Sequence, residues 1–277
     1  ATQRNIALLE EHGVTFIGPA SGEQACGDVG SGRMVEPVEI ANALNESKAK
    51  SSSLNEALKN LAGKKFTITA GPTREPLDPV RYISNHSSGK MGFAIAQAAA
   101  QAGAHVTLVA GPVVLSTPTH CNRIDVTTAD EMLNACEKLI PSTEIFISTA
   151  AVADYKACTV ADNKIKKTGD ELTLTFVKNP DILATISTSQ DRPFCVGFAA
   201  ESQNVEDYAR SKLAKKKLDM IAANDITAEG LGFNSDKNAL HVIWRDGDKR
   251  LPATSKSELA GQLLALIAER YALNNKN

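Results

Sequence analysis

The chain has 277 residues, 43% of them hydrophobic and 22% charged, with a formal net charge of -2; that is apolar material for a sizeable core in one large domain, or one domain plus a fragment. So balanced a charge excludes a global pull toward nucleic acid or an anionic membrane, and any polyanionic ligand has to be held by local clusters. No apolar run approaches a membrane span and no signal peptide opens the chain, while Cys26, Cys121, Cys136, Cys158 and Cys195 form no CxxC pair and read as reduced thiols of a cytoplasmic protein.

The sequence opens inside a helical pattern, RNIALLEEHG, which predicts a piece of a longer polypeptide. Residues 1–47 read as a short helix ending near Gly13, a strand-like VTFIG, a Gly-rich loop and a helix from about Pro37. Residues 48–62, KAKSSSLNEALKNLA, are polar, Ser-rich at the start and weakly helical, which makes them the best linker candidate. The expected division is a first part over 1–47, a linker over 48–63 and a main domain over 64–277.

Within the main domain, strands are predicted at KFTITA (65–70), HVTLVA (105–110), RIDVT (123–127), EIFISTA (144–150), LTLTFV (172–177), PFCVGF (193–198), LDMIAA (218–223) and ALHVIW (239–244). Helical patterns fall near 88–102, 129–139, 180–189, 204–217 and 255–272. This alternation predicts an α/β fold of Rossmann-like, doubly wound type, with a mostly parallel sheet and helices on both faces. In such sheets ligands bind beyond the carboxyl ends of the strands.

The first strand is followed by a long loop, GPTREPLDPVRYISNHSS. It is too long for a minimal dinucleotide-binding turn, and Pro72, Pro76 and Pro79 stiffen it. It is not a Walker A loop, because Gly89-Lys90 runs into Met91 rather than Ser or Thr. Ser87, Ser88 and Gly89 nevertheless stand at a helix start, where free N–H groups and the dipole favour an anion. An ordinary Ser N-cap on an Ala-packed helix explains the same residues equally well.

The second strand ends in Gly111-Pro112-Val113, without the carboxylate that a nicotinamide cofactor's ribose asks for. No Tyr-x-x-x-Lys pair suits hydride transfer either. An NAD(P)-dependent reductase is therefore the second reading, and a non-catalytic nucleotide-binding scaffold the third.

Farther on, small residues Ser148, Thr149, Ala150 and Ala151 at a strand end leave room for a ligand. Asp154 follows them and can accept hydrogen bonds. Pro180-Asp181 opens a helix, with helix-start chemistry as the ordinary explanation. Phe198 ends a strand where an aromatic ring could cover a base. In NVEDYARSKLAKKKLD, helical stepping from Val205 lands on Ala209, Lys212 and Lys216, so two lysines share the apolar stripe. An anion clamp and snorkelling stems at a helix end stand level as explanations. Lys164, Lys166 and Lys167 form a second cluster, whose ordinary reading is a solvated charged hairpin.

Taken together, ITAGPTREPLDPVRYISNHSSGKMG, AAVADY, NKIKK, VKNPDI, VGFAAE and NALH, in that order over roughly residues 64–272, resemble phosphopantothenoylcysteine synthetase. This is the ligase half of the bacterial bifunctional coenzyme A biosynthesis protein. ACGDVGSGRM, Ala25 to Met34, is similar to the end of its partner half, the flavin-dependent decarboxylase, in which the matching cysteine, here Cys26, is the proton donor. FMN would be needed only by the full-length decarboxylase part.

The resemblance implies ligation of 4′-phosphopantothenate to L-cysteine at the expense of CTP with Mg²⁺, through an acyl-cytidylate. It implies catalytic roles for Asn85 and Lys164, and substrate contacts for Arg81, Asn85 and Ala151. CTP contacts are implied for Ser148, Thr149, Ala150, Asp154, Lys164, Pro180, Asp181, Ile182, Leu183, Phe198, Lys212 and Lys216. It also implies a homodimer of the ligase part with each site completed across the interface. Relatives in other kingdoms use ATP; the remnant at Cys26 and the AAVADY match favour CTP. No metal ligand set is visible, which fits a metal held largely by its substrate.

Overall fold

The computed structural model describes residues 2–11, 14, 16–23, 29–167, 169–201, 204–225 and 237–275. The chain divides into two compact units, Ala1–Asn55 and Glu56–Asn277. The first carries helix α1 (Thr2–Glu11), the antiparallel strands β1 (Ala20–Glu23) and β2 (Val29–Arg33), and most of helix α2 (Pro37–Lys59). The strand expected at VTFIG is not formed by its described residues. The Gly-rich segment expected as a loop supplies the two strands instead. The Ser-rich stretch is the second half of α2, which continues unbroken to Lys59, and the boundary between the units falls within it.

The second unit begins with β3 (Lys65–Ala70), β4 (Arg74–Asp78), β5 (Arg81–Ser84), α3 (Lys90–Gln101), β6 (His105–Ala110), β7 (Cys121–Asp125), α4 (Ala129–Leu139) and β8 (Ile145–Ser148). It continues with β9 (Tyr155–Ala157), β10 (Phe176–Lys178), α5 (Ile182–Ser187), β11 (Phe194–Glu201) and α6 (Val205–Lys215). Strands β12 (Met220–Asp225), β13 (Lys237–Trp244) and β14 (Gly247–Ser255) precede the last helix, α7 (Lys256–Asn274).

Among the described residues, eight strands form the central sheet in the order β14-β13-β12-β11-β8-β3-β6-β7. The six from β12 to β7 run parallel, and β13 and β14 add an antiparallel edge. Both faces are covered. Phe66, Ile68, Ile145, Ile147, Val196 and Met220 pack with α3 and α7 on one side. Phe146, Cys195 and Ile221 pack with α4, α5 and α6 on the other. Burial from both sides is why inner strands such as β8 and β11 read as largely continuous apolar runs. Burial also pushes the Cys136 and Cys195 thiols up to about 12, which keeps both protonated and inert at neutral pH.

The chain runs from β3 outward through β6 and β7, then returns to lay β8 on the opposite edge of β3. The order thus reverses between β3 and β8, and a crevice opens beyond their carboxyl ends. Alanines at 96 and 99, both fully buried, let α3 approach the sheet closely. Gly92 brings its first turn closer still: a Cβ there would lie 2.6 Å from Ala70 Cβ and 2.4 Å from Thr149 Oγ1. Helix α4 is held by a capping box between Thr128 and Glu131, so the loop before it is fixed.

Three expectations are corrected. LTLTFV does not join the central sheet; only Phe176–Lys178 is extended, paired with Tyr155–Ala157. The alternation of Thr and apolar residues suits a half-exposed ribbon as well as a sheet strand. The loop after β3 contains the β4–β5 hairpin, hidden by its prolines: Pro76 sits within β4, where a two-stranded ribbon tolerates it, and Pro72 and Pro79 flank that strand. The strand β14 was masked by its charge, because GDKRLPATS lies at the sheet edge with most of its side chains in solvent.

Candidate functional site

A cavity of about 800 Å³ lies over the carboxyl ends of β3, β8, β11 and β12, within the size range of small-molecule sites. Its walls are the start of α3 from Asn85 to Gly92, the segment Ser148–Tyr155, the segment Lys178–Leu183, Phe198, Ala199, Lys216, Asn224, Asn238 and Lys256.

The first wall is set by hydrogen bonds that knit the two central loops together. Ser84 Oγ donates to the Thr73 carbonyl at 2.7 Å, and Thr73 Oγ1 accepts from Ala153 N at 3.0 Å. Asn85 Nδ2 donates to the Val152 carbonyl at 2.9 Å. The carboxamide is thereby fixed against the segment that follows β8. Gly89 adopts a left-handed φ of 74° directly before α3, a conformation open to glycine at low cost. It also sits tightly packed, since a Cβ would meet Val113 Cγ1 at 3.1 Å and Gly71 N at 3.4 Å. The α3 amino end therefore faces the cavity as bare backbone flanked by Ser87 and Ser88, an anion-favouring arrangement.

Thr149 Oγ1 donates to the Thr69 carbonyl at 2.6 Å, which ties the end of β8 to β3. Asn179 holds the next turn from the far side: its Nδ2 donates to the Ala153 carbonyl at 2.8 Å and its N–H to the Asp154 carbonyl at 2.9 Å. Asp181 is the N-cap of α5, with Oδ1 accepting from Ala184 N at 3.1 Å. The same carboxylate receives Lys216 Nζ at 2.8 Å. Ser187 Oγ donates to the Lys216 carbonyl at 2.6 Å, so α5 and the end of α6 are locked together around this ion pair.

Of the residues singled out from the sequence, Asn85, Ser148, Thr149, Ala150, Ala151, Asp154, Pro180, Asp181, Ile182, Leu183, Phe198 and Lys216 line the one cavity. Others stand outside it. Lys212 is half-buried on the same side of α6 as Lys216 but is not part of the lining. Arg81 is engaged elsewhere: its guanidinium pairs with Asp78 and donates to the Ile165 carbonyl at 2.7 Å. The Asp78 carboxylate also receives the Ile165 N–H at 3.0 Å. Arg81 side-chain hydrogen bonding, reinforced by the backbone N–H groups of Ile165, Val80 and Arg81, holds the Asp78 carboxyl well below its ordinary range against the opposing effect of burial. The lysine loop is thus tied to the β4–β5 hairpin, and Lys164 itself is exposed. Cys26 lies outside the described residues.

Asn179, Asn224, Asn238 and Lys256 belong to the lining without having been singled out. The last is the most telling. It is a lysine only 7% exposed, in the first position of a helix, where a cation opposes the dipole. That mismatch was the available signal.

A doubly wound α/β sheet with a ligand-sized cavity at its switch point defines the class of this protein. Residues 61–271 match the family described as the DNA/pantothenate metabolism flavoprotein C-terminal domain, and the chain belongs to that family. It is 57% identical over 274 residues to the coenzyme A biosynthesis bifunctional protein CoaBC of Vibrio cholerae, covering 98% of this chain and 66% of that protein. It thus spans just under two thirds of that relative. Among solved structures, the C-terminal domain of a CoaBC protein superposes with a TM-score of 0.66 at 39% identity, over 76% of this chain and 97% of that one. A Cab2 variant in complex with phosphopantothenate-cysteine superposes with a TM-score of 0.65 at 15% identity, over 88% of this chain and 97% of that one. At that identity the likeness speaks for the fold alone.

Proposed function

We propose that this chain joins 4′-phosphopantothenate to L-cysteine in coenzyme A biosynthesis, with CTP as the activating nucleotide. The observation that carries the reading is the convergence of Asn85, an anion-favouring helix start and Lys216 in one cavity at the switch point, in a chain of this family. In the first half-reaction a pantothenate carboxylate oxygen attacks the α-phosphorus of CTP. The bond to the β-phosphate bridging oxygen breaks, giving an acyl-cytidylate and pyrophosphate. In the second, the cysteine amine attacks the acyl carbon, loses a proton and expels CMP. Activation is needed because a carboxylate carries no adequate leaving group; the cytidylate supplies a phosphate monoester.

The Asn85 carboxamide, braced by the Val152 carbonyl, can accept from the incoming amine through its oxygen. Phe198 offers a face for the base or the pantothenate chain. In the resting cavity Lys216 is neutralised by Asp181; a bound phosphate would compete for the same amine. The donors present suit magnesium that arrives with the nucleotide. Asp154 is the cavity carboxylate not committed to Lys216, and no cluster of three His, Cys, Asp or Glu residues that could hold a metal occurs among the described residues. A magnesium ion held mainly by phosphates and water needs little more, and it would neutralise charge on the departing pyrophosphate.

Arg81 and Lys164 complete the site, in this reading, from a second copy of the chain. Exposed Val80 and Tyr82 on the hairpin, with exposed Tyr155 beside it, supply apolar surface for such a homodimer. The longer parent protein would also decarboxylate the product with FMN, using Cys26 as proton donor, in the cytoplasm. The deciding experiment is incubation with CTP, 4′-phosphopantothenate, Mg²⁺ and cysteine. Release of pyrophosphate and CMP is expected. Absence of both, with CTP and with ATP, rejects the ligase reading.

A further inference from the structure

The side of the cavity facing α3 and α7 carries Asn224, Asn238 and Lys256, which the roles above leave unused. Along β11, β12 and β13, Val196, Met220, Ala222, Leu240 and Val242 point into the α3–α7 core. Strand alternation carries that face onward to Phe198, Asn224 and Asn238, and all three line the cavity. Asn238 is buried, and Asn224 Oδ1 is buried with no hydrogen-bond partner among the described residues. Beside them α7 begins at Lys256, after Ser255 caps the helix by accepting from Glu258 N at 3.2 Å.

Among the described residues Lys256 is the only lysine or arginine in the buried class. Two physical terms oppose its position. An ammonium loses hydration on burial, and it stands at the positive end of a 19-residue helix. Both are relieved by an anion in the cavity. Lys90 and Lys256, the first residues of α3 and α7, both line the cavity, so the two helix starts open on it and their dipoles favour the same anion. A phosphate ester answers every group of this wall. Its anionic oxygens suit the lysine and the two helix starts. A hydroxyl of the sugar or acyl chain next to it can donate to Asn224 Oδ1.

We propose that Lys256 is a phosphate-binding residue and that it forms, with Asn224 and Asn238, the seat of one substrate phosphoryl group. This rests on the ligase reading and deepens it. Two substrates of that reaction carry phosphate, and the wall takes one of them.

The test uses the whole chain and titrates CTP and 4′-phosphopantothenate separately by calorimetry, with Mg²⁺ present. Lys256→Gln should weaken one of the two by about tenfold or more, as loss of a buried charge contact does, and leave the other within about twofold. The substrate affected identifies the phosphate. Lys256→Arg should recover most of the loss, which a purely structural lysine would not require. Asn224→Asp, which sets a carboxylate against the same phosphate, should weaken the same substrate and decides the matter if Lys256→Gln does not fold. Wild-type affinity for both substrates in a folded variant overturns the inference, as does equal loss of both. Either result, alongside normal pyrophosphate release by the unaltered chain, leaves the ligase reading standing.

Discussion

Lys216 and Lys164 are two lysines expected at one ligand, and the fold treats them in opposite ways. Lys216 is fixed at both ends: its carbonyl accepts from Ser187 and its amine meets Asp181 inside the cavity. Lys164 has a fixed backbone neighbour, since Ile165 is held by Asp78 and Arg81, but its own side chain is exposed. In the first region the structure places a charge; in the second it places a loop. A charge already neutralised by Asp181 is ready for a phosphate to displace the carboxylate. In the proposed reading, the anchored loop with outward lysines would be met by the surface of a second subunit.

The sharpest test of the cavity side is Asn85→Asp. It keeps the shape, but the added charge and the lost amide alter what meets the amine. We expect the cysteine step to slow by about 10²-fold, the cost of losing one precisely aimed polar group at a reacting centre, while cytidylate still forms. Quench-flow detection of the acyl-cytidylate checks this, and undiminished turnover removes Asn85 from the chemistry. Next comes Lys216→Ala, which should raise the KM for CTP by about tenfold, equivalent to ~1.4 kcal/mol. Lys212→Ala, outside the lining, should do clearly less. Equal effects from the two would erase the distinction drawn from the lining.

The loop side is tested by mixing. Asn85→Asp and Lys164→Gln should each be poorly active alone. If Lys164 serves the partner's cavity, random reassortment in a twofold dimer restores about a quarter of the native sites. Separately purified variants, unfolded and refolded together or exchanged by dilution, give the readout as pyrophosphate release. A mixed dimer that forms but recovers nothing would put both residues in one subunit.

The contrast also explains what the sequence could reveal. The central sheet was legible because EIFISTA, PFCVGF and LDMIAA hold continuous apolar runs, and KFTITA and HVTLVA interleave their apolar residues only with Thr, patterns that fit burial on both faces. Lys216 was legible because helical periodicity fixes the face on which a residue lies. The β4–β5 hairpin was not, since prolines argue against strands unless one already knows that they sit at a ribbon edge. Lys256 offered only its misfit at a helix start, because its meaning depends on β12 and β13 bringing Asn224 and Asn238 beside the start of α7. No local pattern encodes that neighbourhood. Asn179 stands within VKNPDI, yet its work is to hold the Ala153–Asp154 turn, a contact across 26 positions that spacing alone does not predict. Arg81 was legible as a fork of donors but not as the partner of Asp78, because three residues of separation in a turn carry no helical geometry.

The smallest effect concerns that last pair and the tether of the lysine loop. The folded Asp78 carboxyl lies below its ordinary range, held there first by Arg81 and then, burial notwithstanding, by the N–H groups of Ile165, Val80 and Arg81. A depressed folded value means that the stabilisation is present in full above the unfolded carboxyl range of about 3.9 and is lost as pH falls through the folded value. Between pH 7 and about pH 5 the loop should therefore keep constant hydrogen-exchange protection at Ile165, with loosening confined to stronger acid. Asp78→Asn removes the charge at every pH. It should lower that protection already at neutral pH and slow pyrophosphate release by no more than about threefold, because the tether positions the loop without touching the reacting atoms. Loss of Ile165 protection in the native chain near pH 6 would show that some other group governs the tether. An Asp78→Asn chain as well protected as the native one would show that the hairpin holds the loop by packing alone.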